Sequence, residues 1–122
     1  MSHCIRQHIL LLTATITPLP GINNLSYTDP VRRLQDYVVA LEFYLRFLQA
    51  GEQIVFCENS GSDLSVLKDL AERLGATDKV EFLSFFGNDF PPNYGRGYGE
   101  FRMVEYAMTH SRESAKPRKT SR

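Results

Sequence analysis

A chain of 122 residues with 43% hydrophobic and 23% charged side chains holds one globular domain at most, or part of a larger fold, and is not a disordered segment. Its longest apolar run, Ile9–Leu12, is interrupted at Thr13, Thr15 and Thr17; it is too short for a transmembrane segment and lacks the charged start and cleavage site of a secretory signal, so the expected location is cytoplasmic. The net charge of zero divides into −4 through His110, with 9 basic and 13 acidic residues, and +4 in the tail SRESAKPRKTSR; the acidic body argues against nucleic-acid binding.

In chain order, HILLLTATITP is an apolar run passing into alternating threonines, the pattern of a strand buried on both faces in a parallel sheet. LPGINNLSYTDP is rich in turn formers and reads as a loop. Asp29 is a candidate N-cap with Pro30 in the first helical position, and Leu34, Val38, Leu41, Leu45 and Leu48 follow at helical spacing to about Gln49, before Gly51. QIVFCENSG is a second strand with a polar end. Ser62 or Asp63 is placed to cap a second helix carrying Leu64, Leu67, Leu70, Ala71 and Leu74, closed by Gly75. Val80–Phe86 is a third strand, and a proline- and glycine-rich loop leads to a third helix, about Gly97–His110. Three strand and helix alternations predict a three-layer α/β fold of Rossmann-like type with a mainly parallel sheet. One domain is expected over 1–110, followed by a disordered basic tail over 111–122.

Ligands of such sheets bind beyond the carboxyl ends of the strands, where three loops are expected to converge: Thr13–Thr17, Glu58–Ser60 and Phe86–Glu100. The segment GRGYGE sits ahead of a helix, with glycines that admit a ligand to the backbone and Arg96 as a fork of donors. Its G-x-G-x-G spacing is neither the dinucleotide fingerprint nor a Walker sequence, so phosphate binding and a plain turn both remain open. Glu100 in the first turn also suits the helix dipole. Glu58 and Asn59 end a buried strand, placed either to meet a ribose or base edge or simply to turn the chain. Thr13 and Thr15 either line that rim or are ordinary strand residues, and Arg32 or Arg33 is placed to face it or to stay solvated.

Cys4 and Cys57 are expected to be reduced thiols, and His3, His8 and His110 lack companions at ligand spacing, so no metal site is expected. There is no Asp-x-Asp and no nucleophile elbow, hence no self-contained catalytic set.

LLTATITP, DPVRRLQDYVVALEFYL, IVFCENSGSDLS, VEFLSFFG and GRGYGEFRMVEYAM, in this order, resemble the amino-terminal part of bacterial GT-A-like glycosyltransferases that use nucleotide-diphospho-sugars to build capsule, exopolysaccharide or lipopolysaccharide. The resemblance spans about residues 9–110. It implies that Thr13 and Thr15 lie beside the nucleotide, that Glu58 and Asn59 face the base or ribose, and that Arg96, Gly97, Tyr98, Gly99 and Glu100 approach the diphosphate or sugar. It also implies an enzyme acting in the cytoplasm, at most peripheral to the inner membrane, with Mg or Mn as a possible cofactor of the complete protein. Relatives are expected to continue into a further strand, a Lys-x-Thr-Gly-Arg-Tyr-like segment and an acceptor-binding half; SRESAKPRKTSR stands in that place, so binding without catalysis is the expectation for this chain. A strand missing beside residues 9–16 would leave an uncovered sheet edge, and pairing there with a second copy or a separate half, as an interaction module, is the alternative expectation.

Overall fold

The computed structural model describes residues 2–6, 8–17, 29–87, 89–94 and 96–111. The elements are β1 (Ser2–Arg6), β2 (Ile9–Ala14), α1 (Pro30–Arg46), β3 (Gln53–Glu58), α2 (Ser65–Arg73), β4 (Val80–Ser84), a 3-10 turn at Pro92–Tyr94 and α3 (Arg96–His110). β2, β3 and β4 are parallel and adjacent, and the predicted α/β architecture is the observed one.

The central strand β3 explains the stability of the sheet. Ile54, Val55, Phe56 and Cys57 are all at most 1% exposed. Burying an aliphatic or aromatic side chain of this size contributes about 1.5–3 kcal/mol, so this strand anchors both faces. On one face, Leu12, Ile54 and Phe56 pack with Leu41 and Leu45 of α1 and Leu67 and Leu70 of α2. On the other, Leu11, Val55 and Cys57 pack against Met103 and Ala107 of α3. The helices therefore cover both faces, giving three layers.

Local chemistry sets the helix ends. Asp29 caps α1 by accepting a hydrogen bond from the Val31 N–H at 3.0 Å, with Pro30 at the first helical position. Ahead of α2, Asp63 accepts from the Ser65 N–H and hydroxyl, each at 3.0 Å, and these bonds hold its carboxyl below the usual carboxylate range. Gly75, at φ +67°, ends that helix in the left-handed conformation a side chain would strain.

One expectation is corrected. The strand expected to be an open edge is interior: β2 pairs with β3 on one side and antiparallel with β1 on the other, Ser2 opposite Leu12 and His3 opposite Leu11. The residues before Ile9 thus supply a covering strand, and along Ile9–Leu12 both hydrogen-bonding edges of β2 are occupied, so the uncovered edge expected there is absent. His8, at φ 74°, lies in the reversal between β1 and β2. Ser111, just past α3, is 1% exposed, and its hydroxyl donates to Glu81 Oε1 at 2.8 Å. Residues 112–122, the loop at 18–28 and the side chains of His3 and Cys4 lie outside the described residues.

Candidate functional site

The carboxyl ends of β2 and β3 and the start of α3 meet on one rim. Glu58 is the deepest polar group there, with no exposed surface. Its carboxylate accepts hydrogen bonds from the backbone N–H groups of Ile16 (2.8 Å), Ser60 (2.9 Å) and Ser62 (3.2 Å), and from the Ser60 hydroxyl. A carboxylate has about four accepting positions, so this one is filled by the protein itself. The Ser60 hydroxyl also accepts from the Thr17 N–H at 3.0 Å, while the Thr17 and Ser62 hydroxyls lie 2.8 Å apart. Glu58 thus ties the loop after β2 to the loop after β3, a building role within the rim.

Thr13, 4% exposed, points its hydroxyl at Glu100 and reaches both carboxylate oxygens at 3.0 Å. That bond fixes the first turns of α3 over the end of β2. Thr15 is held from the opposite direction: its N–H donates to the Tyr37 hydroxyl at 3.0 Å, and its carbonyl accepts from Arg33 Nε at 2.6 Å. Arg33 is therefore the rim-facing member of the arginine pair, also donating to the Tyr37 hydroxyl at 3.1 Å, while Arg32 is exposed. Tyr37 was not singled out by the sequence, because its spacing on α1 marks it only as part of the apolar face.

Asn59 follows Glu58 and is 2% exposed. Its N–H donates to the Ala14 carbonyl, its carbonyl accepts from the Gly87 N–H, and its side-chain Oδ1 accepts from the Thr15 hydroxyl at 2.6 Å. The amide nitrogen Nδ2 has no hydrogen-bond partner among the described residues. It faces the first turn of α3: a methyl group placed on Gly99 would stand 3.7 Å from this nitrogen and 3.1 Å from the Phe90 ring. A buried donor left without an acceptor costs about 1–3 kcal/mol, which requires an explanation.

Two glycines of GRGYGE are helical. Of these, Gly97 and Gly99 lie within α3 and neither has positive φ, so residues 96–100 are the opening of α3 and not a flexible loop ahead of it. Gly99 is needed for close packing, whereas a side chain at Gly97 would meet nothing within 4 Å. Arg96 begins the helix; its side chain, like Gly95, lies outside the described residues. Beside this turn stands an aromatic wall that the sequence did not reveal: Tyr98 packs edge-on against Phe90 (5.0 Å) and Tyr94 (4.8 Å), with the Arg102 guanidinium 5.9 Å above the Tyr98 ring.

Burial, with the negative charges of Glu58 and Glu100, pushes the Cys57 thiol up to about 12, so it is neutral and unreactive in the folded state. No cluster of three or more His, Cys, Asp or Glu side chains able to hold a metal occurs among the described residues. The two rim carboxylates are engaged by Ile16, Ser60 and Ser62 on one side and by Thr13 on the other. No helix among the described residues is long and apolar enough to cross a membrane. No protein family, curated protein or solved structure matches this chain.

Proposed function

We propose that this domain binds a nucleotide-diphospho-sugar at its carboxyl rim and serves as the nucleotide-binding part of a glycosyltransferase for bacterial surface polysaccharide, without completing the chemistry itself. The observation that carries the binding reading is the buried Asn59 amide, whose nitrogen has no acceptor among the described residues and lies beside the first turn of a 15-residue helix. The first N–H groups of an α-helix also lack intrahelical acceptors and sit at the positive end of its dipole. This reading assigns the Asn59 amide and the first N–H groups of α3 to an anionic oxygen, of which a diphosphate offers several.

The sugar-nucleotide part of the reading rests on the order of the five segments quoted above. Within it, Glu58 builds the site and does not touch ligand, Thr15 and Asn59 face the nucleotide, and the Phe90–Tyr94–Tyr98 wall offers a surface for a flat or apolar ring face. A panel of UDP-, GDP-, CMP- and dTDP-sugars beside the free nucleotides tests this by thermal shift. A ligand at a hundred times its Kd adds about 2.7 kcal/mol of stability, a shift of several degrees for a domain of this size. The shift is expected with one sugar nucleotide and is lost in Asn59→Asp, which keeps the acceptor for Thr15 but replaces the donor by negative charge. A folded protein that responds to none of the panel would remove the proposal.

A further inference from the structure

The outer face of α1 carries an apolar ridge that the domain does not cover. Val39, Phe43 and Phe47 recur every four residues and are 68%, 56% and 66% exposed, directly opposite Leu41 and Leu45, which are buried. A helix apolar on both sides is built to be covered on both sides. The Phe43 and Phe47 rings already touch, with centroids 4.8 Å apart.

The charges beside the ridge identify the occupant. Asp36 and Arg46 flank it at opposite ends, both exposed. Asp36 has no ion-pair partner among the described residues, and Arg46 pairs with Glu42 at 2.7 Å on its own helix. If two copies of α1 lie antiparallel about a two-fold axis midway between residues 39 and 43, residue 36 of each copy faces residue 46 of the other, and Val39 faces Phe43. This register matches Val39 to Phe43 and Asp36 to Arg46, each twice by symmetry, and sets Phe47 opposite Gln35 at the margin. A parallel arrangement would set Asp36 on Asp36 and Arg46 on Arg46.

We propose that this face of α1 is the interface of a two-fold homodimer, packed antiparallel through Val39 and Phe43, with Phe47 at its margin, and keyed by Asp36–Arg46 pairs. The rims are left open, so dimerisation is independent of ligand binding. A single helix pair buries less than the standard interface of about 800 Å² per partner, so the dimer is expected to dissociate in the micromolar range.

Sedimentation velocity from about 1 to about 500 µM spans that range. The wild-type chain is expected to pass from monomer to dimer. Phe43→Glu weakens association at least about 30-fold, as loss of an interface anchor does. Its folding is checked by circular dichroism. Asp36→Arg and Arg46→Asp each weaken the dimer about five- to tenfold, and the double variant Asp36→Arg/Arg46→Asp recovers it, because each new charge again meets its opposite across the axis. A wild-type chain monomeric throughout, association untouched by Phe43→Glu, or a double variant no better than the singles would each overturn the proposal.

Discussion

The two halves of the carboxyl rim treat their buried polar groups in opposite ways. On the side of the β2 and β3 loops, the Glu58 carboxylate is saturated by three N–H groups and a hydroxyl from within the chain. One residue later, on the side facing α3, the Asn59 amide spends only its oxygen and leaves its nitrogen without a partner among the described residues. Both residues are buried to the same degree, so exposure does not separate them. The difference lies in satisfaction: a group whose hydrogen-bonding capacity is filled holds a structure together, and a buried group left unfilled is where an external ligand gains most.

Breaking the saturated half should cost most. Glu58→Ala strands the N–H groups of Ile16, Ser60 and Ser62, and chemical denaturation is expected to show a loss of about 3 kcal/mol or more. A loss under about 1 kcal/mol would mean that solvent replaces the carboxylate easily and that the two halves do not differ.

The same half shields Cys57. Its folded-state pKa is raised from 9.0 to about 12, so the thiol stays neutral while an unfolded chain ionises. The associated stability is complete below pH 9 and declines as pH climbs from 9 towards 12, because the unfolded state releases its proton first. Equilibrium unfolding across that window should show a decline that is shallower in Cys57→Ala, and peptide mapping should find Cys57 alkylated only when the protein is unfolded. Ready labelling in the native state would contradict the burial described here.

The open half has smaller steric consequences, which distinguish its two glycines. Gly99→Ala forces a methyl against the Phe90 ring and is expected to destabilise the domain by about 1–2 kcal/mol. Gly97→Ala meets open space in a helix and is expected to stabilise it by about 0.5–1 kcal/mol. Thermal melts of the two variants should move in opposite directions. If both moved upward, the packing of Phe90 and Asn59 around Gly99 would be wrong.

Much of this architecture is written in local pattern. The apolar runs of β2 and β3, the Asp29–Pro30 start of α1 and Gly75 after α2 are signals of sequence neighbours, and they appear where their chemistry requires. The covering strand β1 was not legible: SHCIR has no strong alternation, and His8, a residue that does not announce left-handed backbone as glycine does, stands at the reversal. The rim was legible as a place, since Thr13, Thr15, Glu58, Asn59 and Glu100 do converge there. Their partners were not. Glu58 is satisfied by Ile16 from 42 positions away, and Thr13 reaches Glu100 across 87. Such pairings are decided by how layers stack, which no local spacing encodes.

The claim that the open half of the rim takes an anion is tested most directly by nuclear magnetic resonance of ¹⁵N-labelled protein titrated with the sugar nucleotide that gives thermal protection, or with UDP if none does. The account predicts that the Asn59 side-chain NH₂ pair and the backbone amides of Gly97 and Tyr98 shift together and saturate together, while the Ile16 and Ser62 amides held by Glu58 stay in place. Silence at Asn59 and at the start of α3, or shifts confined to the cavity of about 290 Å³ lined by Leu45, Arg46, Leu74 and Lys79 at the opposite end of the sheet, would contradict it.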